Sequence, residues 1–333
     1  MQLIIALSIC ILVSYLFVIL SRKLNLSSII GMFFAGLFLG ITALRNILLE
    51  PNSVFISHLG EMGLVFLMFI AGLEISWREF CIEEKEAGYI SIFATITPFL
   101  LAFLIFISLD FSFSSAIIIG ICMSITAEAT KAKELLDLKK IKSRVGSLMM
   151  VSGIIDDLIG MTFFIISVYW FSGKLILQES FVFFCAIMFF FIGIFVHKYI
   201  GRKTHIVHVL EKIAMFGIIP FFFITTGLNF SMASIAFNPA LFGLILVIAI
   251  SGKIIGVLFA KPFVNLSLKQ IHLVGWAMNS RGAIELGLVF IAFKFELIDV
   301  NIYSALVLTA LVTTLIFPFI IKKMIKSDPK IMD

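Results

Sequence analysis

Apolar stretches, each close to 20 residues long, recur along the whole sequence. Such a stretch is long enough to cross a hydrocarbon core of about 30 Å at a rise of 1.5 Å per residue. Only 14% of the 333 residues are charged and 61% are hydrophobic. A water-soluble domain needs more polar side chains than this to cover its surface. The sequence therefore predicts an all-α, polytopic membrane protein.

Eleven membrane spans are predicted, joined by short connections. The first stretch lacks the basic region and the cleavage site of a signal peptide, so we interpret it as a span. No phosphate-binding G-x-x-x-x-G-K-[ST] loop occurs, and the four cysteines are isolated, so we expect no nucleotide-driven engine, structural metal, disulfide framework or cofactor. The predicted spans are 2–20, 28–42, 59–75, 87–108, 114–134, 145–171, 180–199, 211–229, 240–260, 270–294 and 302–321.

The distribution of Lys and Arg predicts how the spans are oriented. Loops after odd-numbered spans hold 20 of the 25 basic residues, Lys131 counted among them, and loops after even-numbered spans hold 3. Because basic residues stay on the cytoplasmic side, we expect a cell inner-membrane protein with its N-terminus outside and its C-terminus in the cytoplasm. The same rule explains the net charge of +5, so membrane lipids rather than nucleic acid are the expected partners. The remaining two basic residues, Lys253 and Arg281, fall inside spans.

Two adjacent carboxyl groups, Asp156 and Asp157, lie in the middle of the sixth span. Asp156 is about 16 Å from the cytoplasmic end of the span, near the bilayer midplane. A charge at that depth costs roughly 2.5–3.5 kcal/mol or more and usually has a function. Neighbouring residues point about 100° apart on a helix, so the two acids can take different roles. The alternative is a helix end with both acids in water, but both flanks of the pair are apolar.

The ninth span carries Lys253 about 12 Å from its cytoplasmic end, close to the depth of the two aspartates. One interpretation is a lysine whose ammonium reaches back to the membrane surface. Pairing with a buried aspartate explains both charges together, because each is tolerated at depth when the other is present.

Polar residues interrupt two further spans at mid-depth. The tenth span contains Asn279-Ser280-Arg281-Gly282, and Glu285 follows Arg281 by four residues, close enough to pair with it along one helix face. The fifth contains Ser124-Ile125-Thr126-Ala127-Glu128, where Glu128 either faces the interior or simply meets Lys131. Interrupted helices in different halves of a membrane protein predict the binding site of a secondary transporter built from inverted repeats.

A repeated motif supports this interpretation. The stretch from Gly63 to Ser76 in the third span is similar to the stretch from Gly217 to Ser231 in the eighth. By the charge count these two spans run in opposite directions. We therefore predict one transmembrane transporter domain over residues 1–333, with a first inverted repeat at 1–171, a linking helix and loop at 172–210, and a second repeat at 211–333.

On these residues the chain resembles the monovalent cation:proton antiporter family, in the branch of sodium/proton exchangers and potassium-efflux antiporters. The resemblance covers essentially the whole length. It is carried by Gly63 to Glu74, Thr126, the Ile155-Asp156-Asp157 triplet, Gly252-Lys253, and Asn279-Ser280-Arg281-Gly282.

The resemblance implies roles for these residues. It implies that Asp157 binds a proton and Na⁺ or Li⁺ (with K⁺ a further candidate) in competition, and that Asp156 pairs with Lys253 beside it. Thr126 is expected to contribute to the ion and proton site. Glu128, Arg281 and Glu285, with Ser152 and Asn279, are expected to support it. Because both aspartates and the lysine are present, the resemblance further implies electrogenic exchange, in which more protons move than cations.

One departure from the family pattern concerns length. Relatives usually have twelve or thirteen spans, whereas residues 197–210 leave no room for two spans before the eighth. The second repeat is therefore expected to lack its first two helices, which in such proteins belong to the scaffold and dimer domain. This leaves open a homodimer and also a family member that does not transport. A sodium-coupled organic-anion symporter remains an alternative. An intramembrane aspartyl protease, the enzyme alternative, is disfavoured because the acids are adjacent instead of lying on separate helices.

Overall fold

The structure is a computed structural model that describes residues 2–24, 26, 28–41, 45–74, 84–172, 180–200 and 204–332. Nearly all of these residues lie in helices, and the predicted all-α class is confirmed. Some of the basic residues used to predict the orientation, Arg78, Lys174, Arg202 and Lys203, lie outside the described residues.

Fifteen α-helices are described and are numbered here in chain order. A π-helical turn at Ala214–Ile218 joins α9 directly to α10. The helices are α1 Gln2–Lys23, α2 Ser28–Ile41, α3 Ser53–Glu74, α4 Glu84–Ser108, α5 Phe113–Ser124, α6 Glu128–Asp137, α7 Arg144–Ser172, α8 Ser180–Tyr199, α9 His205–Ile213, α10 Ile219–Asn229, α11 Met232–Phe237, α12 Pro239–Phe259, α13 Leu268–Ala277, α14 Ala283–Lys294 and α15 Val300–Ser327.

Each of the eleven predicted spans has a counterpart among these helices, and α11 lies between the eighth and ninth spans. Within the described residues, seven helical stretches are long and apolar enough to cross a membrane, and three shorter apolar helices accompany them. The fifth and tenth predicted spans are each divided into two helices, α5 with α6 and α13 with α14. The chain is thus a multi-pass membrane protein with two interrupted spans.

One compact unit contains α1–α3 and α8–α10. Its helices pack closely because glycines lie at their contacts. A Cβ atom at Gly36 of α2 would overlap the carbonyl group of Phe223 on α10, and Gly63 of α3 faces Phe222 of α10. The two copies of the repeated motif are therefore neighbours in this unit.

The other compact unit contains α4–α7 and α12–α15. Helix α12 lies against α4, where Gly252 faces Pro98. Polar side chains cap several of the helices in this unit; for example, the Asn238 side chain accepts a hydrogen bond from the Leu241 amide at the start of α12. All of the site residues expected from the sequence belong to this unit.

The two compact units do not coincide with the predicted repeats. Each unit takes helices from both 1–171 and 211–333, and α11 carries the chain from the first unit to the second. The division into repeats remains a prediction from the sequence.

Candidate ion-binding site

The site is built around two helix breaks. The first lies between α5 and α6, where Ile125 and Ala127 have extended backbones with ψ angles of 149° and 114°. The second lies between α13 and α14 and ends at Gly282, which is also extended, with a φ of −174°. Unwound backbone at this depth is tolerated only where other protein groups satisfy it.

The two breaks satisfy each other. The Ala127 amide donates a hydrogen bond of 2.7 Å to the Ser280 carbonyl, and the Ser280 hydroxyl donates one of 2.9 Å to the Ala127 carbonyl. Backbone groups freed from helical bonding thus find partners at the point where the interrupted spans cross. The two interrupted spans that the sequence predicts are thus joined by hydrogen bonds between their breaks.

Two buried cations lie at the end of α5. The Arg281 guanidinium donates to the carbonyls of Cys122, at 2.7 Å, and Met123, at 3.0 Å. The ammonium of Lys253 donates to the carbonyl of Ser124. The last carbonyls of a helix lack partners within it and form the negative end of its dipole, so both cations are stabilised there.

Asp156 is fully buried, and both of its carboxylate oxygens accept hydrogen bonds. Its Oδ2 atom lies 2.6 Å from Lys253 Nζ and accepts a 2.5 Å hydrogen bond from the Thr126 hydroxyl. The Thr95 hydroxyl donates to its Oδ1 atom. Lys253 also donates to Thr126 Oγ1 at 3.0 Å, so one small network joins α4, α7, α12 and the first break. Lys253 is 0% exposed, which excludes the alternative of a lysine reaching for the membrane surface.

Two further ion pairs are buried in the same unit. Arg281 Nη1 lies 2.6 Å from Glu285 Oε1, as the four-residue spacing predicts. Lys131 Nζ lies 2.7 Å from Glu128 Oε1. The assignment of Lys131 to a cytoplasmic loop is wrong, because the lysine belongs to α6 and is 0% exposed. The alternative in which Glu128 meets Lys131 therefore describes the contact, although the pair is buried and not at a loop.

Asp157 differs from all of these carboxylates. It is 1% exposed, and neither of its oxygens has a hydrogen-bond or ion-pair partner among the residues that the structure describes. A buried charge without a partner is strongly disfavoured, so this carboxyl group needs a bound proton or a bound cation. Both aspartates lie away from solvent, which excludes the alternative of a solvated helix end.

The remaining expected site residues contact backbone instead of the aspartates. The Ser152 hydroxyl donates to the Met149 carbonyl at 3.3 Å, and the Asn279 amide donates to the Gly275 carbonyl at 2.9 Å. Sequence reasoning missed Thr95 and also Thr314, whose hydroxyl donates to the Arg281 carbonyl at 2.7 Å. Each is a threonine in an apolar span, a signal too common in membrane helices to single out a residue.

The helices and the buried charges indicate what kind of membrane protein this is. A helical membrane protein in which two interrupted spans cross beside buried carboxylates and buried cations is a secondary transporter. The comparison with known families narrows the class. The chain belongs to the family described as "Sodium/hydrogen exchanger, transmembrane", which it matches over residues 8–202 and 186–327.

Individual relatives agree with this family. The chain is 25% identical over 366 aligned residues to the Na⁺/H⁺-K⁺ antiporter GerN of Bacillus cereus, an alignment that covers 94% of each chain. It is 24% identical to the Na⁺/H⁺ antiporter of Enterococcus hirae, covering 91% of this chain and 93% of the relative. Among solved structures, the sodium proton antiporter MjNhaP1 of Methanocaldococcus jannaschii matches with a TM-score of 0.65 over 98% of both chains, at 14% identity. This last similarity supports the fold alone.

Proposed function

We propose that this protein exchanges a monovalent cation, Na⁺ or Li⁺ with K⁺ as a further candidate, for protons across the membrane, and that Asp157 is the group for which the two compete. Membership of the sodium/hydrogen exchanger family and the names of the relatives support the reaction. The single observation that carries the assignment to Asp157 is the charge balance of the interior.

That balance follows from the ion pairs. Each buried lysine or arginine described in the structure has one carboxylate within 2.7 Å, namely Lys253 with Asp156, Arg281 with Glu285, and Lys131 with Glu128. The buried Glu134 has Lys322 at 3.2 Å. Among the buried charged side chains that the structure describes, Asp157 is the one left over, with one negative charge. One proton or one monovalent cation restores neutrality, and both cannot occupy the same carboxylate at once.

The surroundings of Asp157 suit an alkali cation better than a transition metal. Hard monovalent cations take oxygen ligands from carboxylates, hydroxyls and backbone carbonyls, and Asp157 offers two carboxylate oxygens without hydrogen-bond partners among the described residues. Among the described residues, no three His, Cys, Asp or Glu side chains are grouped as a metal site. In this proposal the cation at Asp157 is the transported substrate.

The Asp156–Lys253 pair can supply a second proton to each transport cycle. If a cation on Asp157 weakens the contact between Asp156 and Lys253, Lys253 can release a proton, and two protons then move against one cation. This second proton makes the exchange electrogenic.

We also propose an orientation for the protein in the inner membrane. The N-terminus lies outside and the C-terminus lies in the cytoplasm, as the basic-residue count predicts. Labelling engineered terminal cysteines in intact cells with an impermeant maleimide tests the orientation.

Proteoliposomes with an imposed pH gradient test the function. Purified wild-type protein should release protons on addition of Na⁺, Li⁺ or K⁺, and Asp157→Asn should abolish the exchange because the amide binds neither a proton nor a cation. Asp110→Asn is the matched control. Asp110 is exposed and has a φ of 61°, a conformation that Asn tolerates, so its exchange should equal that of wild type.

Three outcomes would overturn the proposal. Retained exchange in Asp157→Asn would remove this carboxyl group from the mechanism. A wild-type protein that is folded but transports nothing would identify a transport-inactive family member, and flux of an organic anion without proton movement would identify a symporter.

A further inference from the structure

The buried ion pair of Glu128 and Lys131 has been counted in the charge balance but has no assigned step in the exchange proposed above. Glu128 is 5% exposed and Lys131 is 0% exposed, with 2.7 Å between Oε1 and Nζ. The lysine also donates to the Met149 carbonyl at 2.7 Å. Burying such a pair generally contributes little net stability compared with apolar side chains of similar size. Its position beside α7 suggests another reason for its presence.

The pair lies on the same face of α7 as Asp157. Gly153 precedes Asp157 by four residues and therefore points the same way, one turn nearer the start of the helix. A Cβ atom at Gly153 would overlap Glu128 Oε1 and crowd Lys131 Nζ, so the charged ends of both residues rest directly on the α7 backbone. Four residues correspond to about 6 Å along the helix axis.

The next glycine on this face fixes the other side of Asp157. Gly160 follows Asp157 by three residues, and a Cβ there would collide with the side chain of Ile125 in the first break. Asp157 is thus bracketed on its own helix face by contacts to Ile125 and to Glu128, the two ends of the break.

Several carboxylate oxygens around this face are unoccupied. Both oxygens of Asp157 and Oε2 of Glu128 lack hydrogen-bond partners in the described part of the chain. Glu128 Oε1 meets only the lysine ammonium, which keeps the Met149 carbonyl as a second acceptor. Asp157, Glu128 and Lys131 together carry one net negative charge, which a single monovalent cation neutralises.

From this arrangement we infer that Glu128 is a second carboxylate ligand of the transported cation, and that Lys131 is a tethered counter-ion that occupies Glu128 when the cation is absent. On cation entry, Glu128 turns an oxygen toward the ion beside Asp157, and Lys131 remains bonded to Met149. The inference rests on the proposed function, because it assigns Glu128 to the same cation that Asp157 binds. It predicts that the pair controls cation affinity.

A double substitution separates this role from that of a structural clamp between α6 and α7. Glu128→Gln/Lys131→Met removes both charges together, so no unpaired charge is left buried. If Glu128 is a ligand, the KM for Na⁺ should rise about tenfold or more, an effect larger than any fall in maximal rate. If the pair is only a clamp, the double variant should keep the wild-type KM and merely melt at a lower temperature, which would overturn the inference.

Lys131→Met alone gives an opposite and equally decisive result. It leaves Glu128 free beside Asp157, so the KM for Na⁺ should fall severalfold; an unchanged KM would count against a competing role for Lys131. Glu134→Gln is the matched control, because it removes a buried carboxylate from the same helix, where the partner is Lys322 at 3.2 Å. Its KM should match that of wild type.

A second measurement separates failure of this inference from failure of the proposed function. Calorimetric titration of the detergent-solubilised protein with NaCl reports binding without requiring transport. Loss of binding in Asp157→Asn together with wild-type binding in Glu128→Gln/Lys131→Met would eliminate the role of Glu128 alone. Undiminished Na⁺ binding in Asp157→Asn would instead remove the site on which both ideas depend.

Discussion

At the scale of single residues, two adjacent aspartates experience opposite environments. Asp156 has an ammonium group and two hydroxyls within bonding distance, whereas Asp157 has no bonded partner among the described residues. The difference follows from the helix itself, since consecutive side chains diverge by about 100° and meet different neighbours. One aspartate is thereby fixed in a network, and the other is free to exchange its occupant.

This contrast predicts opposite effects on stability. Asp156→Asn leaves Lys253 buried without its counter-charge, which should cost about 3–5 kcal/mol and lower the melting temperature in detergent. Asp157→Asn removes a charge that has no partner, so in Na⁺-free buffer at high pH its melting temperature should equal or exceed that of wild type. Thermal unfolding of the two variants side by side measures the difference. Equal destabilisation of both would mean that Asp157 has a stabilising partner.

At the scale of helices, the two interrupted spans depend on each other. Ala127 and Ser280 form two hydrogen bonds across the crossing point, and Thr314 of α15 holds the carbonyl of the next residue, Arg281. Neither break could keep its unwound backbone in an apolar interior without the other.

Ser280→Ala tests this dependence. The substitution removes the hydroxyl that bonds to the Ala127 carbonyl, and we expect a loss of about 1–3 kcal/mol in stability together with slower exchange. Ser251→Ala is a suitable control, because the Ser251 side chain is partly exposed and its hydroxyl donates to the Val247 carbonyl of its own helix. That change should stay within about 0.5 kcal/mol. If both variants unfold alike, the crossing bond contributes nothing.

The helices and their interruptions could be read from the sequence because each depends on local chemistry. The length of the apolar stretches predicts the spans, and the polar run from Asn279 to Gly282 predicts a break in one of them. The burial of Lys131 does not follow from the sequence, because a lysine at the end of an apolar stretch ordinarily faces the cytoplasm. It requires the acceptor Glu128 and the close approach that Gly153, which has no side chain, allows. The approach of Lys131 to Gly153, like the hydrogen bond of Thr95 to Asp156, joins residues far apart in the chain and has no signature in one sequence.

At the scale of the whole molecule, the interior charges decide how transport responds to voltage. If Asp157 alone exchanged its occupant, one proton would replace one monovalent cation, and no net charge would cross the membrane. A second proton, released by Lys253 when its contact with Asp156 opens, would make each cycle move one net charge. A membrane potential does about 2.3 kcal/mol of work on one charge per 100 mV, equivalent to about 50-fold in the ion gradient that can be sustained.

Flux in proteoliposomes at clamped potential distinguishes the two cases. With Na⁺ as substrate, wild-type exchange should respond to an imposed potential of about 100 mV. Lys253→Ala should lose most of that response while its cation affinity changes less, because Asp157 keeps its own oxygens. Asp156→Asn/Lys253→Ala, which removes the pair without leaving a bare buried carboxylate, should exchange one proton per cation and ignore the potential. Wild-type flux that is identical with and without the potential would show that the buried Asp156–Lys253 pair, bonded at 2.6 Å, has a purely structural role.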